Sequence, residues 1–248
     1  MRVDLLNAQA SVDWPVSQLP SFRDKVNSWL SANIYVSYED PDSNVSNLVV
    51  VAVEKELFPL AFMVEAGAYL NAIRSSLDIL ACALAARYGI PKADEASFPI
   101  AQSEKAFASG KYKGVEFVKA LPDDARVKIE ALKPYAGGND LLWTLHRLDI
   151  TRKHKRLIEP SIRPQSIVVS GWANDLDDAF EPISDYVGVH DKTVIGLLSK
   201  THRDKVSVRC TPFIAFNEPT LVRYKPAVTA IKEFADHATS IIALFDAP

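Results

Sequence analysis

Hydrophobic and polar positions follow two different periods along this chain. The most regular helical pattern runs from about Pro59 to Tyr88, where Leu70, Ile73, Leu77, Leu80 and Leu84 recur at steps of three and four and predict one apolar stripe. Pro59 suits a first helical turn, and Gly89 with Pro91 ends the pattern. At ~1.5 Å per residue this helix would be about 45 Å long. Glu65, Asn71, Arg74 and Asp78 interrupt the apolar run between Leu57 and Leu84, so the pattern predicts a helix packed in protein and no membrane contact.

Shorter helices are predicted over 20–31, with Phe22, Val26, Trp29 and Leu30 on one face, over 102–108, and over 122–133, which Pro134 stops. Another covers 140–157, with apolar stripes Leu141, Leu145, Leu148 and Trp143, Ile150, Leu157, and the last covers 226–245. Residues 1–17 have no sustained period and contain Pro15, so they read as a loosely ordered arm. Period-two runs at 33–38 and 47–54, separated by a polar turn cluster, predict a β-hairpin, and the unbroken run Leu48–Val53 predicts a strand covered on both faces. Further strands are predicted at 166–170, 193–198 and 205–216, with Trp172, Phe213 and Phe216 read as sheet packing. The fold class that follows is α+β: an antiparallel helical core (about 58–158), an antiparallel sheet joining the N-terminal hairpin (33–54) to C-terminal strands (164–217), and a closing C-terminal helix. Together they predict a single domain over 1–248.

Composition narrows the picture. A chain of 248 residues with 48% hydrophobic and 24% charged residues is globular and long enough to bury a core without staples. A net charge of -3 argues against a surface that binds nucleic acid or anionic membrane throughout, though a local basic patch is compatible with it. Two cysteines, Cys82 and Cys210, exclude a disulfide scaffold and a Cys-built zinc site. The first residues lack a basic segment followed by an apolar one, so no secretory signal is expected and the expected location is the cytoplasm.

Candidate chemistry lies on the two central helices. Asn71, Arg74 and Asp78 fall at i, i+3 and i+7, with the small residues Ser75, Ala81, Cys82 and Ala85 around them; His146, Asp149 and Lys153 repeat that spacing on the helix over 140–157. If the helices face each other, each charge finds an opposite partner, Arg74 with Asp149 and Asp78 with Lys153 or His154. Such a network either sets helix register or lines a ligand pocket, and it must be nearly fully paired to be tolerated. The second helix ends in the basic run Arg152-Lys153-His154-Lys155-Arg156, which complements the helix dipole or binds RNA or phosphate. His146 with Asp149, and Glu233 with His237, could each touch one ion, but no third ligand has matching spacing, so no metal and no cofactor is expected. Phosphate-binding glycine loops and a G-x-S-x-G elbow are absent from the sequence.

The segment Asn71-Ala72-Ile73-Arg74-Ser75-Ser76-Leu77-Asp78-Ile79-Leu80-Ala81 resembles the N-L-R-S-A-L-D-H-L-A helix of a group of uncharacterised bacterial proteins. In that group F-P-I, P-Y and a D-K-H-R helix end follow. Here stand Phe98-Pro99-Ile100, Pro134-Tyr135 and Asp149 ahead of Lys153-His154, across residues 60–157. Ile79 replaces a frequent His, and the Asp sits four residues before the Lys-His pair. The resemblance implies an architecture and no reaction. Arg147-x6-His154 is also similar to the signature of HEPN-type helical domains, some of which are metal-independent ribonucleases acting as dimers. That likeness implies His154 as the group moving a 2′-hydroxyl proton and Arg147 as the group stabilising the pentavalent phosphate. Two functions follow as expectations: a binding or interaction protein with a structural polar network, and a ribonuclease of the HEPN kind.

Overall fold

The computed structural model describes residues 1–171, 178–183, 188–189, 191–217 and 221–246, so Trp172 lies outside the described residues. The fold is α+β, with antiparallel sheets and a C-terminal helix. Where the sequence predicts a single domain over 1–248, the chain divides into two compact units. One comprises Met1–Phe22, Leu60–Glu159 and Phe216–Pro248, the other Arg23–Pro59 and Pro160–Ala215. The helices bury their stripes against one another, while the strands satisfy their backbones by pairing, so each set closes a core of its own.

The first unit opens with α1 (Leu6–Asn33), whose residues beyond Phe22 belong to the second unit. This corrects the loosely ordered arm expected over residues 1–17. Leu5, Ala8, Val12, Pro15, Leu19 and Phe22 recur at steps of three and four, and all are buried. Pro15 and Pro20 stand inside the helix, where each removes one backbone hydrogen bond and strains the turn before it, at about 3 kcal/mol. Burial of the stripe offsets this, and Ser11 Oγ donates to the Ala72 carbonyl at 2.9 Å, fastening α1 to its neighbour.

That neighbour, α2 (Leu60–Arg87), is the centre of the unit. Leu70, Ile73, Leu77, Leu80 and Leu84 are fully buried, and so are Ala66, Ala81 and Ala85 on other faces. A helix buried on several sides is packed on several sides. It lies against α6 (Asp140–His154) and α7 (Ala227–Ala243). In chain order, α3 (Glu104–Ala108), α4 (Val115–Ala120) and α5 (Asp123–Ala131) come between α2 and α6. The small residues of α2 receive the chain segment that follows the helix: the Ile90 N–H bonds the Ala85 carbonyl at 2.8 Å, and Cys82 Sγ donates to the Ala96 carbonyl at 3.4 Å. Burial pushes the Cys82 thiol up, with Asp78 and Asp94 adding to the effect.

In the second unit β1 (Ile34–Glu39) pairs antiparallel with β2 (Asn47–Glu54), the predicted hairpin. β2 also pairs antiparallel with β6 (Lys192–Ser199), which joins the hairpin to a C-terminal strand. The short strands β4 (Phe180–Pro182) and β5 (Gly188–Val189), which the sequence pattern did not predict, both pair with β6. The long strands β3 (Pro160–Gly171) and β7 (Val206–Phe216) do not extend this sheet as expected; they form a two-stranded sheet of their own. Pro164 and Pro212 suit strands that each keep an open edge. Val206 and Val208 belong to one buried cluster with Leu48, Val50, Ala52, Ile195 and Leu198, so the two sheets share one apolar core.

Candidate functional site: the polar seam between α2 and α6

The first unit brings together the two polar stripes read from the sequence. Asn139 caps α6, its side chain accepting from the Leu142 N–H at 3.1 Å, and this sets where the stripe begins. Leu142, Leu145 and Leu148 are the buried apolar positions of α6, and Thr144, Asp149 and Thr151 are buried beside them; Leu141, Trp143 and Ile150 are only half-buried, a correction to the two-sided packing expected.

The pairing differs from the one expected. Asp149 is 3% exposed and receives Asn71 Nδ2 at 3.1 Å and Lys153 Nζ at 2.7 Å. Arg74 is 6% exposed; its Nε donates to His146 Nδ1 at 3.3 Å, and its Nη1 lies 3.0 Å from Asp78 Oδ1. That Nη1 contact is a charge contact outside hydrogen-bonding geometry. Thus Arg74 does not reach Asp149, and Asp78 does not reach Lys153 or His154. Each charge is matched four residues along its own helix, where neighbouring turns already hold the groups close. The links between helices are Asn71 to Asp149 and Arg74 to His146.

The Arg74 bond also fixes the His146 tautomer. A guanidinium only donates, so Nδ1 is the acceptor and Nε2 carries the proton. Burial, and then the Arg74 charge, push the His146 pKa down to about 4, against the pull of Asp149 and Asp78. His146 is therefore neutral at pH 7, and its lone pair is occupied. The unfolded chain takes up this proton near pH 6.5, while the folded chain resists until about 4, so stability is expected to fall as pH drops through that window. With partial exposure discounted, the loss is on the order of 1–2 kcal/mol. His237, also shifted down by burial, acts in the same direction. In urea titrations at stepped pH, His146→Gln, which keeps an acceptor for Arg74, is expected to flatten the slope; an unchanged slope would remove His146 as its source.

The seam anchors the other sequence motifs as well. Asp78 Oδ1 accepts the Phe98 N–H at 2.9 Å, which holds the Phe98-Pro99-Ile100 segment with Phe98 1% exposed. Ala101 in turn bonds the Pro134 carbonyl at 2.9 Å and bridges Tyr135. Sequence reasoning missed one clamp: Arg152 Nε donates to the Gly67 carbonyl at 2.8 Å, and a β-carbon on Gly67 would run into the Arg152 stem. The signal was present, a lone glycine inside a long helix.

Arg147 and His154 are exposed on α6. They stand seven positions apart, about 10 Å along the axis. Arg147 lies 5.9 Å from the Trp143 ring. In the basic run, Arg152 is held by Gly67, Lys153 by Asp149 and Arg156 by Glu159 at 2.6 Å, and Lys155 has no ion pair among the described residues. No group of three metal-ligating side chains occurs among the described residues, and no described helix is long and apolar enough to cross a membrane.

No protein-family model matches this chain, and no curated protein or solved structure does either.

Proposed function

We propose that this chain is a binding or interaction protein whose seam between α2 and α6 is structural, setting the register of the helical core. One observation carries the reading: the seam's charges are matched inside the chain, Arg74 by Asp78 and His146, Asp149 by Lys153 and Asn71. A neutral His146 with its lone pair occupied is a poor proton acceptor, which also speaks for structure. The resemblance of residues 60–157 to a bacterial group, together with cysteines unsuited to a disulfide scaffold, supports a bacterial cytoplasmic setting.

A second reading, a metal-independent ribonuclease of the HEPN kind, draws support from the exposure of both Arg147 and His154 on one side of α6. It needs a homodimer in which these residues meet their symmetry mates. One experiment separates the two readings. Single-stranded RNA is incubated with the purified chain and with the His154→Ala and Arg147→Ala variants. The binding reading expects intact RNA in every case. Cleavage by the unaltered chain that both substitutions abolish, with thermal melts unchanged, would overturn it in favour of the nuclease.

A further inference from the structure

The second unit holds a cleft of about 760 Å³ walled by Tyr38, Ser170, Arg203, Asp204, Lys205 and Ser207. It is a depression open to solvent, and all of these residues except Tyr38 are exposed. Tyr38 is fixed on β1 because its hydroxyl accepts the Val208 N–H at 3.1 Å. The Arg203 guanidinium stacks on the Tyr38 ring, Cζ 4.0 Å from the centroid. A stacked guanidinium is held in place while its N–H edges stay free, the preorganised form in which arginine grips an oxyanion. The turn carrying Arg203 and Lys205 is closed by backbone bonds from Arg203 to Lys200 at 3.3 Å and from Lys205 to His202 at 3.0 Å. Gly171 lies against the Lys205 carbonyl so closely that a β-carbon would meet it.

The charge pattern distinguishes these cations from others in the unit. Lys192 is paired with Glu39 at 2.6 Å and Lys200 with Asp40 at 2.8 Å. Arg203 and Lys205 have no ion pair among the described residues, and the Ser170 and Ser207 hydroxyls no hydrogen bond among them. Two cations and two hydroxyls therefore offer donors to one space, and Asp204 adds a single carboxylate acceptor.

We propose that this cleft binds a sugar phosphate, with the phosphate taken by Arg203 and Lys205 and a sugar hydroxyl donating to Asp204. A bare oxyanion uses only the donors, and a neutral sugar leaves both cations unpaired; a phosphate ester that carries hydroxyls uses the whole set. The site is independent of the α2–α6 seam, so its failure leaves the reading of that seam untouched.

The test is isothermal titration of ribose 5-phosphate into the full chain, with inorganic phosphate and ribose as comparison arms. Ribose 5-phosphate is expected to bind, and each comparison arm to bind at least about tenfold more weakly, the worth of one charge-assisted hydrogen bond. The double variant Arg203→Ala, Lys205→Ala is expected to lose binding by about tenfold or more while keeping its thermal melt, because both side chains are exposed. Asp204→Asn is expected to narrow the preference for ribose 5-phosphate over inorganic phosphate. Absence of ribose 5-phosphate binding, equal binding of inorganic phosphate or of ribose, or undiminished binding by the double variant would overturn the proposal.

Discussion

Lys153→Ala is expected to lower the unfolding free energy by about 2–3 kcal/mol, and Asp149→Asn by only about 1 kcal/mol. The asymmetry follows from burial. Asp149 is 3% exposed, so removing Lys153 leaves a buried carboxylate with one neutral donor, Asn71. Removing the charge from Asp149 instead leaves Lys153, whose side chain is 38% exposed and can turn to water. That exposure is also why the first loss falls below the roughly 3–5 kcal/mol of a fully enclosed pair. Urea denaturation at pH 7 and low salt measures both. Equal losses, or a larger loss for Asp149→Asn, would mean that solvent already reaches Asp149 and that the seam is not a buried network.

Leu77→Ala should have the larger effect, about 3–5 kcal/mol. Leu77 is fully buried in the middle of α2, the helix against which α6 and α7 both pack. Neighbours held from two sides cannot collapse into the space a truncation leaves, so the cavity cost adds to the lost burial. Val64→Ala on the same helix, 54% exposed, is the control and should change stability by less than about 0.5 kcal/mol. A loss at Leu77 no larger than the loss at Val64 would contradict the central place given to α2.

How far the fold was legible in the sequence depended on whether its signal was local. The stripe of Leu70, Ile73, Leu77, Leu80 and Leu84, the terminal helix and the hairpin of β1 and β2 were all readable, because each is a period repeated over consecutive residues. In α1 the period was there, in Leu5, Ala8, Val12, Pro15, Leu19 and Phe22. It was hidden because Pro15 and Pro20 signal a break and because Ala8 and Pro15 do not look like core residues. The strands β4 and β5 are too short to show any period. The candidate site was legible as a set of residues, Asn71, Arg74 and Asp78 facing His146, Asp149 and Lys153, and misread as a set of bonds.

Local patterning was enough to mark which residues are polar on the two central helices, that these helices have apolar faces to bury, and that strands from both ends of the chain are available to pair. Which donor meets which acceptor emerged only with folding. That choice turns on the rotation and axial offset of α2 against α6, which side-chain packing sets over many residues at once. It led Arg74 to Asp78 and His146 instead of Asp149, and gave Asp149 to Lys153 and Asn71. The same holds for the cleft beside Tyr38: residues 38, 170 and 203–207 lie far apart in the chain, and no periodicity records that folding brings a stacked arginine, a lysine and two hydroxyls around one space.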